Sequence, residues 1–378
     1  MKKLLLLSLF LSGYIFALGQ NFPPTAKPEK QLFFSLRYGY GDVIAHRKNM
    51  EAITNQPYHF VDVKVGLQTL GQQQFHALLN YPAFGVGYSK GSLGYNKIYG
   101  LPNALYGFVD FPVFRAQKLR ISLEPSIGFA FSFKAYDPVT NPENIAIGSA
   151  ENAYLRLRIA TQLYLAPQWD LDLSLDYTHF SNGNTRSPNL GLNTRGGSIG
   201  FNYYFNRKQY FDPKNNAYQT TYEPFTANHS IVMRYGYGVR SSDETFRFYN
   251  VHDLGLYYSY QLSPVYAVTI GSDVFYNEAY RLLLHPFQQS QTQFEQLLSV
   301  GIYAENELIL NQVSFVLGIG AYAYHGNSAQ EESIYWRLGA RYRIIDPLWV
   351  QVALKAHASV AEFVEWSVAY QLRFKKKR

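Results

Sequence analysis

The sequence predicts an all-β protein, an antiparallel membrane-spanning β-barrel, on three observations. Polar and apolar residues alternate with period two over long stretches, as strands with two different faces require. Tyrosine, phenylalanine and glycine are abundant, at 33, 27 and 28 residues in a chain of 378, which suits a barrel with aromatic girdles. Beyond residue 20 no apolar run reaches the ~18 residues that a membrane helix needs, so crossing falls to strands.

The elements follow in order. Met1-Lys2-Lys3, the apolar stretch Leu4 to Phe16 and the small-residue site Ala17-Leu18-Gly19 read as a signal peptide over 1–19, and export places the barrel in an outer membrane. The chain has no cysteine, which excludes a lipoprotein anchor, disulfides and thiol chemistry. Residues 20–207 read as a first barrel, 208–228 as a polar linker containing Pro213 and Pro224, and 229–378 as a second, degenerate barrel. A duplication supports that division. Phe33-Phe34-Ser35-Leu36-Arg37-Tyr38-Gly39-Tyr40-Gly41 is echoed by Ser230-Ile231-Val232-Met233-Arg234-Tyr235-Gly236-Tyr237-Gly238, and Pro167-Gln168-Trp169 by Pro347-Leu348-Trp349. Each half holds about eight alternating segments, the number of the smallest membrane barrels. Two tandem eight-stranded barrels are expected, with one barrel of about sixteen strands as the alternative.

The polar rows of the first half carry charge. Leu119 to Phe133 alternate with Arg120, Glu124 and Lys134; Leu155 to Leu165 with Arg156 and Arg158; and Trp169 to Ser181 with Asp170, Asp172 and Asp176. Placed inward, Arg120, Lys134, Arg156 and Arg158 would meet Glu124, Asp170, Asp172 and Asp176. Such a row fills a narrow barrel with ion pairs rather than lining a channel.

The odd row of the last of these strands runs Trp169, Leu171, Leu173, Leu175, Tyr177, His179, Ser181, so a histidine and a serine share its apolar, lipid-facing side. Residues two apart on a strand lie about 6.6 Å apart on one face, within reach of an imidazole that accepts a hydroxyl proton. The loop that follows reads His179-Phe180-Ser181-Asn182-Gly183-Asn184-Thr185-Arg186-Ser187-Pro188-Asn189-Leu190-Gly191-Leu192-Asn193. This stretch resembles the PagL-type lipid A 3-O-deacylases, outer-membrane acyl-ester hydrolases on an eight-stranded barrel, whose pattern is H-x-S-N followed by N-x-G-x-E.

The resemblance implies Ser181 as nucleophile, His179 as general base, and Asn189 with Gly191 at the oxyanion. Asn193 stands where the family has an orienting glutamate, which makes it the third member of the site and its departure. Asp137, Glu143 and Glu151, in or beside the preceding outward loop, are alternative carboxylates. Arg186 and Arg195 are candidates for lipid A phosphates, with Asn182 also placed on the substrate side. The substrate implied is lipopolysaccharide in the outer leaflet, hydrolysed at an acyl ester.

His357 and Ser359 form a second H-x-S triplet, but they fall on the row of Gln351 and Lys355, face the lumen and lack the loop. They read as part of a packed polar network. The other histidines show no paired ligand spacing, so no metal is expected, and no cofactor is needed. The formal charge of +7 suits anionic headgroups, and export removes nucleic acid as a partner. A homodimer is left open. The competing class is a non-catalytic outer-membrane barrel with a structural or adhesive role.

Overall fold

The computed structural model describes residues 31–45, 48–207, 224–241, 247–284, 289–326, 332–357 and 360–374. The leader, most of the linker and Ser359 lie outside them. Strands β1 (Gln31–Ile44), β2 (Pro57–Gln68), β3 (Ala83–Ser92), β4 (Gly100–Arg115), β5 (Leu119–Phe133), β6 (Asn152–Ala166), β7 (Trp169–Ser181) and β8 (Leu192–Tyr204) pair antiparallel with their neighbours in order. Pairing of β1 with β8, Phe33 opposite Tyr204 through Ile44 opposite Asn193, closes the barrel. A second closed barrel comprises β9 (Asn228–Ser241), β10 (Phe248–Ser263), β11 (Tyr266–Asn277), β12 (Leu298–Leu310), β13 (Val313–His325), β14 (Ile334–Ile345), β15 (Leu348–His357) and β16 (Val360–Phe374). The chain thus forms two eight-stranded barrels, and one sixteen-stranded barrel is excluded. The echoed motifs occupy corresponding strands, Arg37 on β1 and Arg234 on β9, Trp169 opening β7 and Trp349 near the start of β15.

Alternation decides the facing of every strand. Along β7 the odd residues Trp169, Leu173, Leu175 and Tyr177 are exposed, while Asp170, Asp172, Ser174, Asp176 and Thr178 are buried. Exposed leucines and tyrosines in a closed barrel mark a surface built for hydrocarbon. Inside, Arg158 holds three carboxylates at once: Nη1 donates to Glu124 at 2.8 Å, Nη2 to Asp172 at 2.5 Å and Nε to Asp176 at 3.0 Å. Lys64 adds a second contact to Glu124 at 2.5 Å, and Arg156 reaches Asp62 at 2.9 Å, which also accepts from Tyr106 and pairs with Arg37. Arg120 with Asp110 and Arg207 with Asp170 extend the network toward the opposite end.

Two residues depart from the sequence reading. Lys134 is exposed beyond the end of β5 and donates to the Lys97 carbonyl, so it is not part of the interior row. Phe133, expected on the lipid side, is buried, because Ser132 adopts a left-handed backbone (φ 66°) that reverses the alternation at the strand end. Arg37, Asp62, Lys64 and Asp110, which the sequence reading did not name as interior charges, are part of the interior network instead.

The reversed Phe133 has a structural use. Its ring packs edge-on to Phe180 at 5.4 Å between centroids, and Phe180 lies 5.5 Å from Tyr154. An apolar layer with Ile98, Tyr99, Ala146, Ile147 and Leu192 therefore roofs the ionic interior at one end. That end also carries the connections 45–56, 93–99, 134–151 and 182–191, while the other has the short turns 116–118 and 167–168 besides 69–82. Long loops outside and short turns inside is the outer-membrane pattern, which assigns the 182–191 end to the cell exterior.

Removing one side of a buried ion network leaves uncompensated charge, at a cost of about 3–5 kcal/mol. Arg158→Met is expected to lower the urea midpoint of the first barrel, read as loss of the heat-modifiable band in electrophoresis. Replacing exposed Asp42, whose partner Arg195 lies 3.8 Å away at the surface, should leave that midpoint nearly unchanged.

Candidate active site

The site forms where β7 ends and the chain turns back into β8. Phe180 faces the apolar roof, so its neighbours on either side must face outward, and this sets His179 on the lipid side of the wall. Across the strand pair, His179 lies opposite Asn193 and Ser181 opposite Ala153. His179 Nδ1 and Asn193 Oδ1 are 2.7 Å apart. Because an amide oxygen only accepts, that contact requires the proton on Nδ1, so in the neutral ring Nε2 is the acceptor nitrogen. Asn193 is thus the residue in contact with the imidazole, while the alternative carboxylates Asp137, Glu143 and Glu151 are all exposed on the preceding loop. Asp137 is engaged in its own turn, where the amides of Thr140 and Val139 hold its carboxyl below the usual carboxylate range.

Ser181 differs from expectation in one respect. Its row faces lipid, yet the residue is only 4% exposed. The loop folds over it, and Gly191 makes this fit. Gly191 has φ 74°, and a Cβ there would sit 3.0 Å from His179 Cε1 and 3.7 Å from Ser181 Cβ. Glycine is thus needed for backbone conformation and for space together. Its N–H donates to the Ala146 carbonyl at 3.1 Å, so this amide is engaged within the protein.

Asn189 has a defined amide orientation. Its Oδ1 accepts from the backbone N–H of Asn182 at 3.0 Å, which identifies the other amide atom, Nδ2, as the donor. Asn182, placed on the substrate side by sequence, is 7% exposed and donates through Nδ2 to Ser149 Oγ at 3.1 Å. Its side chain is an internal strut. Arg186 and Arg195 are exposed, Arg186 in the loop and Arg195 on β8 between Tyr177 and Asp42 of the adjoining strands. Sequence reasoning missed Asn144, Ile147, Ser149 and Asn152 beside the site: the first three stand on a loop with no periodicity, and the bridge from Ile147 to Asn189 joins segments with no shared sequence pattern.

The second triplet has a different setting. His357 is buried in the lumen, with Nε2 at 2.8 Å from Glu362 and Nδ1 at 3.1 Å from the Ile334 carbonyl. Other charged residues of that interior pair among themselves: Arg337 contacts Glu365, and Arg341 contacts Glu305. The packed-network reading stands with Glu362 as the partner, joined by Lys355. Between β15 and β16 the connection is residues 358–359, against 182–191 in the first barrel.

A closed eight-stranded barrel with an ionic interior and an exposed apolar wall defines a membrane-embedded protein of the outer-membrane β-barrel class. Comparison narrows this. Residues 61–202 match the family model described as lipid A 3-O-deacylase (PagL), and residues 225–376 match the one described as acyloxyacyl hydrolase, C-terminal domain. The chain belongs to the PagL-like family, and its place is the outer membrane. The second barrel therefore corresponds to a domain with its own family model. No curated protein sequence matches the chain. Among solved structures, the outer membrane enzyme PagL is 16% identical, covers 45% of this chain and 98% of its own, and superposes with a TM-score of 0.26. A porin of Rhodopseudomonas blastica (10% identity, 91% and 100% coverage, TM-score 0.18) and CdiB from Acinetobacter baumannii (10%, 94% and 65%, 0.20) are also similar.

Gly191→Ala should separate fold from site. The substitution strains a left-handed position and presses on the imidazole, so the barrel is expected to remain heat-modifiable while ester hydrolysis falls about tenfold or more. Retention of full activity would show that the imidazole tolerates displacement.

Proposed function

We propose that the chain is an outer-membrane esterase that removes an acyl chain from lipid A. The observation that carries this reading is the 2.7 Å contact of His179 Nδ1 with Asn193 Oδ1, beside Ser181, in a chain of the PagL-like family. In this mechanism Ser181 Oγ attacks the ester carbonyl as His179 Nε2 takes its proton. The Asn189 Nδ2 donor, directed by the Asn182 amide, faces the developing oxyanion. Collapse of the tetrahedral intermediate breaks the bond to the sugar oxygen, which leaves as a hydroxyl after receiving the proton from His179. Water then enters, gives a proton to the same nitrogen, and releases the fatty acid and free Ser181.

The placement favours a lipid substrate over a soluble ester. His179 lies on the row of Tyr177 and Leu175, so a lipid in the outer leaflet reaches it laterally. Arg195 and Arg186 supply positive charge for headgroup phosphates. An orienting amide holds the imidazole in the useful tautomer but does not stabilise the imidazolium as a carboxylate does, so the reaction is expected to be slower than with a full triad.

Mass spectrometry of lipid A from cells making the intact protein is expected to show loss of one acyl chain, and Ser181→Ala or His179→Ala should abolish that loss. An unchanged lipid A with the intact protein would overturn the proposal. Asn193→Asp adds the carboxylate without lengthening the side chain and is expected to raise kcat about tenfold or more, whereas Asn193→Leu should lower it at least as far.

A further inference from the structure

We propose that Ser149, on the loop between β5 and β6, is a positioning residue for the ester hydrolysis, acting through Asn182 and Asn189. The inference rests on the hydrolase reading above. Its basis is a hydrogen-bond chain whose direction is fixed at each link. Asn152 Nδ2 donates to the Ser149 carbonyl at 3.0 Å, which turns Asn152 Oδ1 toward the Ser149 hydroxyl. Ser149 Oγ donates its single proton to that oxygen at 3.2 Å and so must accept from its other neighbour. That neighbour is Asn182 Nδ2 at 3.1 Å.

The strut fixes the residue immediately after Ser181. Asn182 in turn points its backbone N–H at Asn189 Oδ1, 3.0 Å away. If residue 182 rotated, the Asn189 amide would lose the contact that distinguishes its oxygen from its nitrogen. An oxygen aimed at a developing oxyanion repels it, whereas nitrogen stabilises it. Ser149 thus sets the sign of the dipole offered to the transition state without touching substrate.

The support beneath Ser149 is equally directed. Asn144 is fully buried and accepts from the Ile147 amide at 3.1 Å while donating to the Lys134 carbonyl at 2.7 Å. Ile147 bridges Asn189, and the Ala146 carbonyl receives the Gly191 amide. Residues 144–152 therefore form a template against which both ends of the catalytic loop are laid. Ser149 is its contact to the nucleophile side.

The test uses the full-length protein and lipopolysaccharide in detergent micelles, with released fatty acid quantified by mass spectrometry. Ser149→Ala is expected to lower kcat about 10- to 100-fold with KM little changed, because a dipole felt in the transition state is disturbed and substrate contacts are not. Ser149→Thr, which keeps the hydroxyl, should restore most of the rate. Combining Ser149→Ala with Asn182→Ala should cost no more than the larger single effect, since both remove one link. Unchanged kcat in Ser149→Ala, or a loss that Thr does not rescue, would overturn the proposal. Should Ser149→Ala lose its heat-modifiable fold, Asn182→Ala decides, by the same kcat and KM criterion. Absence of hydrolysis by the intact protein is the separate failure of the hydrolase reading.

Discussion

The arrangement depends on the guanidinium of Arg158 and the three carboxylates that it holds inside the first barrel. Charges of this kind are costly anywhere but against one another. Their demand to meet at the centre fixes the inward row of β5, β6 and β7 together, and a strand whose inward row is fixed has no choice about its outward one. His179 stands on the lipid side because Asp172 and Asp176 cannot.

Above that network the chemistry changes from ionic to aromatic, and the site sits at the transition. Phe180 is held by Phe133 and Tyr154, so the peptide between His179 and Ser181 is clamped from inside the wall. The strand end then carries His179 and Ser181 to the rim, where the loop 182–191 follows. His179 is thus placed by the barrel wall, whereas the orientation of the Asn189 amide is set by loop residues.

Much of this was legible in the sequence, and unevenly so. Period-two alternation exposed the barrels, their facing and the placement of His179, because each is a repeated local signal. The halves were separable through echoed motifs such as that around Arg37 and Arg234. Lys134 and Phe133 were misplaced because one left-handed residue, Ser132, reverses the count, and nothing in the identity of a serine announces it. The inner role of Asn182 and the part of Ser149 were invisible for another reason: they follow from contacts across loops with no period. Burial of Ser181 belongs to the same class, since Gly191 signals a tight turn but not what the turn covers.

Having Asn193 where a carboxylate is expected also bears on electrical neutrality at the membrane surface. A triad acid places a permanent negative charge beside the point where anionic headgroups gather. The amide carries none, so the His179–Asn193 pair adds no negative charge to the outer rim of the wall. An amide also neither gains nor loses a proton over the ordinary pH range, so residue 193 brings no charge of its own to this strand pair whether the medium is acid or neutral.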